Sequence, residues 1–237
     1  MTTLAPTRQI VERRAETGSR LVTNNPMPAN AIDPQRALMM RRLTGQCVVE
    51  RQGAVARRVV AASNEYGIDY AKLGIPSSRL DAALSIEACM KRAMSQGDGL
   101  VQWQADSNTL RSLLIESLYR NSFKTMPVRD WHNIAPVPVA TVSTNGKSSG
   151  ASASTMFGEC IVQADFAGAD KFIRSEPGSA AESNAVAAVT PSIAPCLQAG
   201  SKLSLRKAAL RNILADALWR FANGTPAGTA AAIGGGK

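Results

Sequence analysis

Leu110-Arg111-Ser112-Leu113-Leu114-Ile115-Glu116-Ser117-Leu118-Tyr119-Arg120 is the stretch from which the fold is read. Its apolar residues at 110, 113, 114 and 118 recur at helical spacing and make one stripe of an α-helix. Ile115 and Tyr119, four apart, form a second flank beside that stripe. Glu116 and Arg120 stand four apart in the favoured acid-first order. One hundred residues on, the chain writes the same thing again as Leu210-Arg211-Asn212-Ile213-Leu214-Ala215-Asp216-Ala217-Leu218-Trp219-Arg220. Leu210, Ile213, Leu214 and Leu218 replace the stripe, Ala215 and Trp219 the flank, and Asp216 and Arg220 the ion pair.

Upstream of each helix the likeness continues. Gly45-Gln46-Cys47-Val48-Val49 corresponds to Gly158-Glu159-Cys160-Ile161-Val162, and Ser85-Ile86-Glu87-Ala88-Cys89-Met90 to Ser192-Ile193-Ala194-Pro195-Cys196-Leu197. The three pairs of segments lie 113, 107 and 100 residues apart, as expected when helices are fixed and their connecting loops drift in length. The predicted fold class is therefore all-α: two duplicated three-helix modules joined by a Pro/Gly/Ser-rich linker. The predicted layout is a basic flexible arm over 1–32, a helical module over 33–122, the linker over 123–156, a second module over 157–223 and a disordered tail over 224–237.

Within the first module, Asp33-Pro34 reads as a helix start, with Asp as N-cap and Pro at the first helical position. An opening helix then carries Cys47, Val48, Val55, Val59 and Ala62. Asn64 to Ser77 reads as a loop, Ser77 or Ser78 as the cap of a second helix, and Ser107 or Asn108 as the cap of the third. In the second module the pattern predicts an opening helix from Glu159 to Arg174, a short helix interrupted at Pro191 and Pro195, and a long one from Leu203 to Phe221. Between the modules, Val137-Pro138-Val139-Ala140-Thr141-Val142 reads as extended chain laid across a module, followed by the flexible stretch Asn145 to Ser152.

All four cysteines fall inside the repeated segments, two per copy, with none left over. This favours two disulfides, Cys47–Cys89 and Cys160–Cys196, over buried free thiols. A zinc site is disfavoured because no two cysteines have the short spacing such sites use. Disulfides imply an oxidising compartment. Met1-Thr2-Thr3-Leu4-Ala5-Pro6-Thr7-Arg8 lacks the apolar run of a secretory signal. The expectation is thus a periplasmic or secreted chain that begins downstream of a removed signal, or a cytoplasmic one if the thiols are free.

The net charge is +9, unevenly spread. Residues 1–42 hold Arg8, Arg13, Arg14, Arg20, Arg36, Arg41 and Arg42 against three acids, whereas each module is nearly neutral. A basic arm of this kind suits an anionic surface or nucleic acid, but it lacks the interleaved aromatics that stack bases. No run of the sequence has the apolar length of a membrane span.

Residues for chemistry are few. The single histidine, His132, sits beside Trp131 in the linker, where a solvent-facing role is the expectation. Asp98 with Asp106, and Asp165 with Asp170, are the nearest things to paired carboxylates, and capping and solvated faces account for them. Asn145-Gly146-Lys147-Ser148-Ser149 carries Gly-Lys-Ser without the upstream glycine of a phosphate-binding loop. No catalytic residue, metal ligand or cofactor is assigned.

The Cys-Val-Val segment, the later Cys and the Leu-Arg-x-x-Leu-x-Glu-x-Leu-Tyr helix resemble small, usually exported, cysteine-paired helical proteins of alphaproteobacteria. The resemblance covers both modules but not the arm, linker or tail. It implies a cell-envelope setting and carries no activity or site residues. The expected function is a non-enzymatic structural or protein-interaction role in the bacterial envelope, with Ile115, Tyr119 and Trp219 as candidate partner-binding residues. The alternative is a cytosolic basic protein that binds nucleic acid through its arm.

Overall fold

A computed structural model of the chain describes residues 20–23, 34–94, 101–144, 147–197 and 205–227. Among these the chain is mainly helical: α1 Pro34–Ala61, α2 Tyr70–Leu73, α3 Ser77–Ala83, α4 Ile86–Ala93, α5 Ser107–Ser122, α6 Ala153–Ala164, α7 Phe166–Arg174, α8 Ala180–Val189 and α9 Lys207–Ala222. Short 3-10 turns cover Trp131–Asn133, Thr190–Ser192 and Ala194–Cys196. The strands form only two-stranded antiparallel ladders. Arg20–Thr23 pairs with Val101–Gln104, Ser63–Asn64 with Gly67–Ile68, Ile134–Ala135 with Thr225–Pro226, and Val142–Thr144 with Lys147–Ser149.

The helix starting at Pro34 is continuous with the opening helix expected to carry Cys47 to Ala62. It continues to Ala61 and bends at Gln52, whose backbone leaves the helical region (φ −131°, ψ 34°). Gln52 then donates a hydrogen bond to Ser85 Oγ at 3.2 Å. Ser85 itself is left-handed (φ 56°) and divides the expected second helix into α3 and α4. The cap of α3 is Pro76 rather than Ser77 or Ser78. At α5 the cap is Asp106, whose carboxylate accepts the Thr109 N–H at 2.6 Å, one residue before the expected Ser107. A carboxylate there also complements the positive end of the helix dipole. Asp165 plays the same part between α6 and α7, accepting the Gly168 N–H at 2.8 Å and splitting the expected single helix.

Two cysteine pairs lie at disulfide distance. Cys47–Cys89 joins α1 to α4 with S–S 2.09 Å, and Cys160–Cys196 joins α6 to the 3-10 turn at Ala194–Cys196 with S–S 2.03 Å.

One hydrophobic core runs through both halves, from Cys47 to Ala222. Its centre is the α5–α9 pair. Arg111 meets Asp216 and Arg211 meets Glu116, so α5 and α9 run antiparallel. The other long helices pack outside them, α1 on α5 and α6 on α9. Leu110, Leu113, Leu114 and Leu118 are buried, as are Leu210, Leu214 and Leu218; Ile213 is half-buried. Burial does not end at the stripe. Ile115, Tyr119 and Ala215 are also buried, and so are Arg111 and Arg211.

Two glycines let the outer helices close on the inner ones. A Cβ at Gly158 would stand 2.8 Å from Ile213 Cγ2 and 3.0 Å from the Ile213 carbonyl oxygen. A Cβ at Gly45 would meet Leu113 Cγ at 2.9 Å, together with the Ser117 hydroxyl. Gly158→Ala is expected to lower stability by about 1–3 kcal/mol, because a backbone carbonyl has to give way. Gly53→Ala is the control, since its Cβ would meet only the end of the Arg57 side chain at 3.8 Å. Equal denaturation midpoints for the two variants would disprove the close approach of α6 to α9.

Parts of the segment expected to be a flexible linker are packed against the rest. Trp131 stacks on Phe166 with ring centroids 3.4 Å apart. Val137 N–H donates to the Arg220 carbonyl at 3.0 Å, and Arg220 Nη1 donates to the Val137 carbonyl at 3.3 Å. Asn64 Nδ2 donates to the carbonyls of Ala140 (3.0 Å) and Ser149 (2.7 Å). Asn64 is buried, and these acceptors satisfy an amide that burial would otherwise leave unpaired. Helix α6 begins at Ala153, inside the predicted linker. The predicted tail also starts as structure, because Thr225–Pro226 pairs with Ile134–Ala135; its remainder, 228–237, lies outside the described residues.

Candidate functional site

The α5–α9 seam carries charge as well as apolar surface. Arg111 follows Leu110 and Arg211 follows Leu210, so each lies on the flank of Ile115/Tyr119 or Ala215/Trp219 and is drawn inward with it. Across the seam, Arg111 Nη2 donates to Asp216 at 2.5 Å and Arg211 Nη1 to Glu116 at 2.9 Å. Each arginine also takes backbone acceptors: Ser63 O for Arg111, and Phe172, Ile173 and Ser175 O for Arg211. Arg211 holds a second carboxylate, Glu182, at 2.9 Å. Buried ions persist only when paired and hydrogen-bonded to this extent.

The two ends of the seam differ in charge balance. At one end Arg111 and Arg220 face Asp216 and Glu159, two cations against two carboxylates. Arg220 meets Asp216 at 3.1 Å and Glu159 at 2.5 Å. At the other end stands neutral Gln46, which an alignment of the two Gly-x-Cys segments sets opposite Glu159, with Arg41 and Arg42 opposite Ser154 and Thr155. A cleft of about 180 Å³ opens there, and its lining includes Arg41, Arg42, Arg120, Lys124 and Arg211 with Glu116 as the one carboxylate. Glu116 and Glu182 are both engaged by Arg211. Arg120 reaches Glu116 only at 3.8 Å, and Arg41 bonds neutral acceptors, Asn212 Oδ1 at 3.3 Å and the Thr109 carbonyl at 3.5 Å. Burial, and after it the neighbouring Arg42, presses the Arg120 guanidinium below its ordinary pKa despite Glu116. Burial and Arg211 do the same to Arg41, again against Glu116.

The predicted site residues fall in different places. Ile115 and Tyr119 are fully buried, so the flank proposed for a partner is instead interior. Tyr119 donates its hydroxyl to Asp170 Oδ1 at 2.5 Å, and Arg174 Nε reaches the same carboxylate at 2.8 Å. Burial first, and then Asp170, push the Tyr119 hydroxyl pKa upward. Trp219 is half-buried, its ring centroid 6.5 Å from that of Phe123, which lies in turn 5.5 Å from Tyr119. The aromatic flanks thus pack one half against the other.

Of the arm residues, Arg8, Arg13 and Arg14 lie outside the described residues, and Arg20 begins the strand Arg20–Thr23. Arg41 and Arg42 belong to α1 and line the cleft rather than an arm. His132 is exposed in its 3-10 turn. Asp106 and Asp165 are helix caps, Asp170 is the buried acceptor for Tyr119 and Arg174, and Asp98 lies outside the described residues. Among the described residues no helix is long and apolar enough to cross a membrane, and no group of three or more His, Cys, Asp or Glu is placed to hold a metal ion.

No protein-family model, curated protein or solved structure matches this chain.

Proposed function

We propose that this chain is a non-enzymatic structural or interaction protein of the bacterial cell envelope, built from two copies of one cysteine-stapled helical module. The paired cysteines carry the compartment part of this reading, because both pairs lie at bonding distance and no described cysteine is left free. The duplication is supported by reciprocity at the seam. Arg111 to Asp216 and Arg211 to Glu116 are the same contact made twice by segments one hundred residues apart, as in an isologous interface. Gly45 and Gly158, at matching places in the repeated segment, also meet matching residues, Leu113 with Ser117 and Ile213 with Ala217.

In this reading the fused halves are a rigid body. Binding is assigned to the cationic cleft, where charge is left over, and not to the buried Ile115/Tyr119 flank. Intact mass with thiol alkylation, on protein taken from its own host, tests the compartment. Two bridges, mapped as 47–89 and 160–196, are expected. Four alkylated thiols would overturn the envelope assignment and favour the cytosolic, nucleic-acid-binding alternative.

A further inference from the structure

The cationic cleft invites a definite ligand chemistry. Three properties narrow it. First, the lining holds five cations against Glu116, and the nearby Glu182 is itself engaged by Arg211. Arg42 has no hydrogen-bond or ion-pair partner among the described residues, while Arg41 and Arg120 hold only long or neutral contacts. The excess of positive charge is larger than one carboxylate neutralises. Second, the cavity of about 180 Å³ is below the range of roughly 300–1,000 Å³ usual for drug-sized ligands, so it suits a compact headgroup. Third, the donors are guanidiniums joined by side-chain amides at Gln46, Asn121 and Asn212. Planar guanidinium forks match the spaced oxygens of a phosphoryl group and engage two at once.

The neutral end of the seam supplies an internal comparison. There Glu159 fills the position of Gln46, and its carboxylate sits on Arg220, the counterpart of Arg120. The second half thus carries its own anion in the place where the first half has none.

We infer that the cleft between α1, α5 and α9 is a binding site for a phosphoryl group, with Arg41, Arg42 and Arg120 as its principal donors. This deepens the binding role assigned above and does not depend on the compartment, so the intact-mass experiment and the one that follows fail independently.

The test is calorimetric titration of the full chain at low ionic strength with inorganic phosphate, glycerol 3-phosphate and acetate, and, separately, with phosphatidylglycerol vesicles. The key variant is Gln46→Glu, which puts into the first half the acid that the second half already has. Gln46 is exposed, and its one side-chain bond is donation to Glu50 at 2.9 Å on the same helix, so the variant is made together with Glu50→Gln, which avoids a like-charge pair one turn apart; an unchanged melting temperature verifies that the fold survives. Arg42→Gln is the second variant, and Arg79→Gln, exposed on α3, is the charge control. Saturable one-site binding of phosphate or glycerol 3-phosphate is expected, weakened roughly ten- to a hundredfold in Gln46→Glu and Arg42→Gln, the scale of a lost charge-assisted hydrogen bond. Binding confined to vesicles and lost in Gln46→Glu would make a lipid headgroup the source of the phosphoryl group. Absence of binding by every probe, acetate bound as tightly as phosphate, or equal weakening in Arg79→Gln would overturn the inference.

Discussion

Arg211→Ala is expected to lower the unfolding free energy by about 3–5 kcal/mol, the usual cost of removing one partner from a buried ion network. Arg211 is 5% exposed and Glu182 4% exposed, and Arg211 pairs at 2.9 Å with both Glu182 and Glu116. With the guanidinium gone, Glu182 keeps one described contact, the Gly178 N–H, and Glu116 keeps only the 3.8 Å approach of Arg120. The Phe172, Ile173 and Ser175 carbonyls lose a donor as well. The cost lies in the stranded carboxylates more than in the lost attraction, and this is testable. The variant Arg211→Ala/Glu116→Gln/Glu182→Gln should recover a large part of the loss, because a neutral amide is far cheaper to bury than an ion. Denaturant titration of the two variants measures both effects. A loss below about 1 kcal/mol for Arg211→Ala would mean that the seam is wet and its ions solvated.

The second large effect concerns the bridges. Cys47→Ala/Cys89→Ala is expected to cost about 2–5 kcal/mol. The bridged residues are 42 apart in sequence, for which the chain-entropy model gives about 4 kcal/mol. The bridge at Cys160–Cys196 spans 36 residues, so its entropic value is similar. Access separates the two. Cys47 and Cys89 are buried, whereas Cys160 and Cys196 are half-buried. Thiol exchange needs the attacking thiolate to reach sulfur. Mild reductant should therefore open Cys160–Cys196 first, as seen by timed alkylation and peptide mapping. Simultaneous loss of both bridges would show that reduction follows global unfolding.

The sequence announced the helices because their apolar residues recur at the right period, and it announced the cysteine pairing because two cysteines sit in each repeated segment. Caps were harder to place. At Asp106 the preferred side chain stands beside other good caps, Ser107 and Asn108, and only backbone geometry chooses among them; Asp165 sits inside a stretch whose apolar spacing reads as one helix. The break at Ser85 has no breaker residue to announce it. The linker looked flexible because of its Pro, Gly and Ser content, yet its stability comes from distant groups such as Asn64 and Arg220 that a local reading does not weigh.

The cleft was least legible. Arg41 and Arg42 read as the end of a basic arm, and Glu116 with Arg120 as an ion pair within one helix. Arg41 and Glu116 gain further partners because α5 lies at the centre of the fold. A signal was present nonetheless. Arg111, Ile115 and Tyr119 share a helix face at spacings of four, and so do Arg211, Ala215 and Trp219. An arginine heading a face that holds an aromatic is a candidate for burial against an acid.

The reciprocal pairs of the seam also set an order of assembly. Arg111 and Asp216 are 105 residues apart, and Arg211 and Glu116 are 95 apart. A ribosome adding roughly 5–20 residues per second needs on the order of five to twenty seconds to travel from Arg111 to Asp216. Throughout that interval Arg111 and Glu116 lack their cross-seam partners, and Glu116 has only the 3.8 Å approach of Arg120. The bend at Gln52 and the Cys47–Cys89 bridge involve residues 47–89 alone and need nothing from the second half. The amino-terminal half thus carries a brace that needs nothing from the second half, whereas the ions of its inner helix meet their cross-seam partners only once α9 has been made.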